Sequence, residues 1–183
     1  MGLKTIRRAM WCLGLAGALL GSALVLLPQP VQAQSKEQVA TVRKAIDAAY
    51  KAEDAAFINY DLEGSLQSHA TNYVYTTKEG KKISRAQLQE YLAQMFKVAE
   101  DIQSNTAIEN LAVYGNRARV RVKTYARMHL QGQGKSTHIL AGTERRDDVW
   151  VKQGDIWLRT QGKEVSSHIT LDGKPLPRNK WSQ

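Results

Sequence analysis

DDVWVKQGDIWL, residues Asp147–Leu158, is the stretch that decides the fold. Two short runs rich in β-branched and aromatic residues flank Gln153-Gly154, and a glycine between two such runs is typical of a tight hairpin. Earlier turn signals lie at Gly115-Asn116 and at Gly132-Gln133-Gly134, again between strand-like runs. We therefore predict that the chain from Thr106 to Ser167 is an antiparallel meander.

Helical patterns precede the meander. Ser35 with Gln38 and Ser84 with Gln87 have the spacing of a capping box, in which each side chain bonds the other residue's free backbone amide. Apolar residues recur at helical spacing after both serines, and Asp61 is placed to cap a short helix from Leu62 to about Ala70. The order predicts an α+β domain, with about three N-terminal helices packed on one face of a curved antiparallel sheet.

This order of elements resembles the nuclear transport factor 2-like superfamily, which includes SnoaL-like cyclases and ketosteroid isomerase. The D-V-W-V hairpin within Asp147–Leu158 carries the resemblance, and Tyr60-Asp61-Leu62-Glu63 is a second, weaker match. The resemblance spans roughly residues 36–169 and implies a cone-shaped fold with a pocket. It implies no catalytic set, because no member's catalytic residues can be matched here and the superfamily holds enzymes, binding modules and oligomerisation domains.

The N-terminus has the pattern of a signal peptide. Three cations precede an uncharged, mostly apolar run from Ala9 to Leu27, and Val31-Gln32-Ala33 matches a cleavage site. The alternative is a membrane anchor, since the run is just long enough to span a bilayer. We expect export to the periplasm or the outside of the cell, by either the general or the twin-arginine route, of a domain at residues 34–170 with a tail at 171–183.

Composition limits the chemistry and the partners of the exported domain. The chain has a formal net charge of +9 and one cysteine, Cys12, inside the leader. Thiolate catalysis and thiolate metal sites are therefore not expected, and neither is a cofactor. A basic exported protein is expected to make at most weak contact with an anionic envelope surface, and no contact with nucleic acid. His129 and His138, predicted to pair across a hairpin, have no evident third partner for a metal.

Charge pairing predicts the strand register. Placing His129 opposite His138 and Trp150 opposite Trp157 aligns two triplets of alternating sign. These triplets are Arg119-Asp148-Arg159 and Lys123-Glu144-Lys163. A slip of one residue would lose both, so the charges support the register.

One face of the sheet in this register is charged and aromatic, and the superfamily often dimerises through that side. We predict a homodimer, with a solvated face or cover by the tail as alternatives. The predicted dimer-face residues are Trp150, Trp157, Tyr125, Arg119, Asp148 and Arg159.

The opposite face is then apolar, with a polar end that we interpret as a half-open pocket. Charged groups on a core face are costly unless they are paired or face a cavity. Arg145 is predicted to meet the polar or anionic end of a small apolar ligand, paired with Asp147 and Glu164. The predicted ligand-binding residues are Arg145, Asp147, Glu164, Thr143, Thr160, Tyr50, Asp54 and Tyr75. A structural ion-pair network at the rim of the sheet is the alternative.

The sequence thus favours an exported small-molecule pocket protein of the SnoaL-like type. One alternative is an isomerase, cyclase or dehydratase that uses a buried carboxylate as base. Another is an oligomerisation module with no ligand.

Overall fold

The computed structural model describes residues 35–132 and 137–176, and the predicted leader at residues 1–33 lies outside them. Two α-helices, one 3₁₀ turn and seven strands follow in chain order. They are α1 (Lys36–Ile58), the 3₁₀ turn (Gly64–Leu66), β1 (His69–Thr76), β2 (Lys82–Ser84), α2 (Arg85–Phe96), β3 (Ala99–Tyr114), β4 (Arg117–Gln131), β5 (Thr137–Gln153), β6 (Ile156–Leu171) and β7 (Lys174–Pro175).

The sheet confirms the predicted α+β architecture. Its strand order is β2-β1-β6-β5-β4-β3, and β7 pairs with β6. The meander from β3 to β6 is antiparallel as predicted, whereas β1 pairs with β6 in parallel. β7 lies inside the segment predicted as a tail.

Local signals in the first half were largely correct. Both capping boxes form, at Ser35 with Gln38 and at Ser84 with Gln87. The predicted short helix is only a 3₁₀ turn, and its N-cap is Glu63 and not Asp61, although the Asp61 side chain accepts the Gly64 amide at 3.0 Å. The chain turns into β1 at His69, so the residues predicted to complete that helix belong to a strand.

The predicted register between β4 and β5 is wrong by one residue. His129 lies opposite Ile139, Lys123 opposite Arg145, and Arg121 opposite Asp147. The last described pair of the ladder is Gln131 with Thr137. Since strand side chains alternate, this slip reverses the face of every β5 side chain relative to β4.

The hairpin between β5 and β6 also differs from the prediction, but by two residues. Gln153 pairs with Ile156 around Gly154-Asp155, and Gly154 has a φ of 58° that favours glycine. Trp157 therefore lies opposite Lys152, not opposite Trp150. The register between β5 and β6 also shifts between Arg145 and Arg146 and between Val149 and Trp150, and each shift marks a bulge.

The core lies between α1 and the inner face of the sheet. Four side chains of β4 are buried on this face, namely Ala118, Val120, Val122 and Met128. From β5, however, the core receives Trp150, which packs with Tyr50 and Ile46 of α1. No helix in the described part of the chain is long and apolar enough to span a membrane.

Candidate functional site

A buried carboxylate lies at the centre of the inner face. The Asp148 side chain has no exposed surface, and it accepts from Arg146 Nε at 2.7 Å and from Arg159 Nη1 at 3.1 Å. Tyr50 Oη donates to Asp148 Oδ2 at 2.6 Å, and Trp150 Nε1 donates to Tyr50 Oη at 2.9 Å. Burial raises the pKa of Asp148, but the two guanidinium groups outweigh burial and hold that pKa below its usual value. Asp148 is therefore a permanent anion that neutralises buried cations.

Arg159 is the cation that joins the sheet to α1. Its Nη2 donates to both carboxylate oxygens of Glu53, at 2.7 and 2.6 Å. The guanidinium carbon also lies 5.4 to 5.6 Å from the ring centroids of Tyr50, Tyr73 and Trp150. A cation enclosed by two carboxylates and three aromatic rings has its charge compensated without water.

His69 completes this network as a neutral side chain. Arg159 Nη2 lies 2.8 Å from His69 Nε2, and a guanidinium can only donate. Nε2 must therefore be the unprotonated nitrogen, which places the proton on Nδ1, 3.4 Å from Glu53 Oε1. Burial and the charge of Arg159 lower the pKa of His69 far below its ordinary value.

Two cavities lie beside this network. The first has a volume of about 230 Å³ and is mostly apolar, with Phe57, Met95, Met128 and Leu140 in its wall. The second has a volume of about 370 Å³ and a more polar wall that includes Tyr75, Glu164, Ser167 and His168. Glu144 and Ile169 line both cavities. An apolar space and a polar space thus meet at one carboxylate.

Glu144 is held in place from two sides. Tyr75 Oη donates to its Oε1 at 2.7 Å, and Arg146 Nη1 donates to its Oε2 at 3.2 Å. Burial and the charge of Glu144 raise the pKa of Tyr75, so the phenol stays protonated and remains a donor. Glu164 accepts from Ser167 Oγ at 2.6 Å and from the Lys78 amide at 3.2 Å. Among the described residues that line the two cavities, the carboxylates of Glu144 and Glu164 are the formally charged groups.

The structure brings together only part of the predicted pocket. Tyr75, Glu164 and Thr143 line the two cavities. Tyr50 is buried against Asp148, and Asp54 accepts from Ser104 and Thr106 of β3, so both serve the packing of α1.

Arg145, Asp147 and Thr160 lie away from the cavities, and the prediction that Arg145 and Asp147 face inward is wrong. The side chain of Arg145 is 48% exposed and pairs with Glu109, while Asp147 pairs with Arg121 on the outer face. Thr160 lines a groove on that outer face with Asp147. The one-residue slip between β4 and β5 is the physical cause.

The predicted dimer face is corrected for the same reason. Trp150, Asp148 and Arg159 are buried inside the domain, so a partner molecule cannot contact their side chains. Trp157 is half-buried and packs against the core around Trp150. Of that set, only Arg119 and Tyr125 are exposed.

Sequence reasoning missed Glu144 and Arg146 as inner-face residues, and it missed Glu53 and His69 altogether. One signal was available, because the observed register also forms an ion pair, between Arg121 and Asp147 at 2.7 Å. Charge pairing thus supports two registers of β4 against β5 that differ by one residue and place each β5 side chain on opposite faces. It does not choose between them. Glu53 and His69 carry no local pattern that distinguishes them from surface residues.

Comparison with known proteins gives the fold a context. No family model and no curated protein matches the sequence. Solved structures do match: a proposed scytalone dehydratase from Novosphingobium aromaticivorans is 13% identical, with a TM-score of 0.59 over 73% of this chain and 90% of that one. A ketosteroid isomerase-like protein from Erwinia carotovora atroseptica is 17% identical, with a TM-score of 0.53 over 72% of this chain and 99% of that one.

A nuclear transport factor 2-like protein from Cytophaga hutchinsonii is similar to the same degree, with 14% identity and a TM-score of 0.53 over 68% of this chain and 97% of that one. Identities this low carry information on architecture and none on activity. The described part of the chain has the nuclear transport factor 2-like fold.

Proposed function

We propose that this is an exported pocket protein that binds a small ligand with an apolar body and a hydrogen-bond-donating, preferably cationic, end. The cationic, apolar leader at residues 1–33 supports export. The observation that carries the ligand proposal is the position of Glu144, in the wall of both the apolar and the polar cavity. Ligand sites typically combine an apolar wall with a few polar groups that fix orientation.

The sign of the ligand's polar end follows from the charges around the cavities. The cation assigned to this role from the sequence, Arg145, points to the outer face and pairs with Glu109. The side chains with formal charge in the cavity walls are Glu144 and Glu164. An anionic ligand end would meet like charge there, whereas an ammonium or hydroxyl group would meet acceptors.

Proton-transfer catalysis is the less favoured function for the same site. The proposed scytalone dehydratase and the ketosteroid isomerase-like protein bear the names of enzymes, and Glu144 is a carboxylate beside an apolar space. However, both Glu144 oxygens already accept hydrogen bonds, one of them from a guanidinium. Such bonds fix the carboxylate in one orientation and occupy its acceptor sites, which suits binding better than proton abstraction.

Two probes that share a naphthalene ring but carry either an amine or a carboxylate test the proposal. We expect 2-naphthylmethylamine to bind at least tenfold more tightly than 2-naphthoate at neutral pH, measured by calorimetry and by NMR shifts of cavity residues. Glu144→Gln should remove most of that preference, because it removes one cavity charge. Ala126→Phe should abolish binding of both probes, because Ala126 lines the apolar cavity.

Glu109→Gln is the matched control, since Glu109 is a carboxylate on the outer face that pairs with Arg145. It should leave the preference between the two probes unchanged. Equal affinity for amine and carboxylate would contradict the proposed polarity of the site. Binding that survives Ala126→Phe would show that the ligand sits elsewhere.

A further inference from the structure

The outer face of the sheet carries a straight row of polar residues that crosses six strands. Successive members of the row are directly opposite one another in the ladders. In order across the sheet they are Lys82, Thr76, Lys163, Asp147, Arg121 and Asn110. Cations stand on β2, β6 and β4, which are alternate strands of the sheet. Neighbouring cations are therefore about 10 Å apart, since strands lie roughly 4.8 Å apart.

This row lies in a groove with a volume of about 710 Å³. All six members of the row line the groove, and Arg119 of the next row lines it too. The carboxylate of Asp147 is already occupied, because Arg121 donates to its two oxygens at 2.7 Å each. Lys82, Lys163 and Arg119 have no ion-pair partner among the described residues, so the groove has a surplus of positive charge.

We propose that this groove binds a linear polyanion whose repeating charged group is phosphate. A chain lying along the groove meets a cation on every second strand, and Lys and Arg are the side chains that contact phosphate in proteins. The groove is a recess, so a flexible chain enters it more readily than a planar membrane surface does. The charge density of a phosphate chain matches a site that offers several cations and whose two aspartates, Asp147 and Asp148, are already paired with arginines.

Two other occupants fit the groove less well. A second copy of the chain docked by a two-fold axis would place the cations of one groove against those of the other. Single-stranded nucleic acid usually stacks its bases on aromatic side chains, and no aromatic residue lines the groove in the described part of the chain. A phosphate chain without bases needs no such platform.

Binding of inorganic polyphosphate of defined chain length, measured by calorimetry from 50 to 300 mM salt, tests the proposal. We expect measurable affinity that falls steeply with salt, because each neutralised phosphate releases a counterion. Arg119→Glu with Lys163→Glu should weaken binding at least 30-fold at low salt and should flatten the salt dependence. Lys44→Glu with Lys97→Glu is the control, because it makes the same change in net charge at two exposed positions, one in α1 and one directly after α2.

Other outcomes of these measurements would contradict the proposal or point to a different partner in the groove. Equal weakening by both double variants would show that net charge alone attracts the polymer, and it would overturn the site. Tighter binding to phosphatidylglycerol vesicles or to a single-stranded oligonucleotide of equal charge would overturn the choice of partner. A dimer in solution that Arg119→Glu with Lys163→Glu dissociates would show that a second copy fills the groove.

Discussion

Asp147 and Asp148 are chemically identical neighbours with opposite roles. Asp148 is buried between Arg146 and Arg159, whereas Asp147 is 46% exposed and pairs with Arg121 on the outer face. An exposed ion pair contributes little, because water competes with it and screens it. Removing the buried carboxylate of Asp148 takes one charged partner from each of two buried guanidinium groups, where water cannot replace it.

The first prediction compares these two residues. Asp148→Asn should lower the free energy of unfolding by about 3 to 5 kcal/mol, because Arg146 and Arg159 each lose one of their two carboxylate partners inside the core. Asp147→Asn should lower it by less than about 1 kcal/mol. Urea denaturation of both variants measures the difference. Similar, small losses at both positions would contradict the register that places Asp148 inside.

The second prediction concerns the pH dependence of stability. His69 is neutral in the folded protein because burial lowers its pKa, but the unfolded chain takes up a proton below the ordinary value of 6.5. Its contribution to stability is therefore full above pH 6.5 and is lost as the pH falls below it. That loss is about 1.4 kcal/mol per pH unit.

Urea denaturation of the wild type and of His69→Gln between pH 8 and pH 5 isolates this contribution. The other titrating groups are common to both proteins, so they cancel in the difference between the two curves. The difference should be constant above pH 6.5 and should narrow below it. His168→Gln, at an exposed histidine, should reproduce the wild-type curve. Parallel curves for the wild type and His69→Gln would mean that His69 takes up its proton at the same pH in the folded and the unfolded protein, which would contradict its burial as a neutral side chain.

At the scale of elements, β6 is the strand on which the site depends. It pairs with β5 on one side and in parallel with β1 on the other, which places Arg159 beside His69. A bulge lies between the pairs at Arg159 and Gln161, and Gly162 follows it on the inner face. A Cβ atom at Gly162 would lie 2.5 Å from Tyr73 Oη and 3.0 Å from Asp148 Oδ1. Only glycine lets β6 approach the buried network this closely.

The third prediction tests that close approach. Gly162→Ala should cost about 1 to 3 kcal/mol of unfolding free energy, because the added methyl group overlaps the Tyr73 hydroxyl. Gln161→Ala, next to it on the outer face, should change stability by less than about 0.5 kcal/mol. Tyr73→Phe should cost less in the Gly162→Ala background than in the wild type, since the two changes share one contact. Additive effects in this cycle would contradict the proximity of the two side chains.

At the scale of the whole molecule, the two faces of the sheet have opposite character. The inner face holds Asp148 and Glu144, which pair with arginines, and Glu164, and the two cavities lie beside Glu144 and Glu164. The outer face carries the surplus of cations around Lys163 and Arg119. A small donor-ended ligand and a polyanion therefore suit different sides of the same sheet, and neither needs to displace the other.

The sequence by itself determined the architecture and many of its helix caps, turns and strands. Capping boxes at Ser35 and Ser84, the turn at Gly115 and the alternation along β4 all act within a few residues, so they can be read from the chain. The order of helices and strands then leaves few ways to pack, and the nuclear transport factor 2-like fold follows.

Only the tertiary structure decided which side chains face inward. The register of β4 against β5 depends on how the turn closes and on what α1 covers. Charge pairing was compatible with both of the registers that differ by one residue. A shift of one residue moved Arg145 and Asp147 outward and brought Glu144, Arg146 and Asp148 inward. Glu53, His69 and Arg159 meet across long stretches of chain, and the free energy that holds them together exists only once the core excludes water.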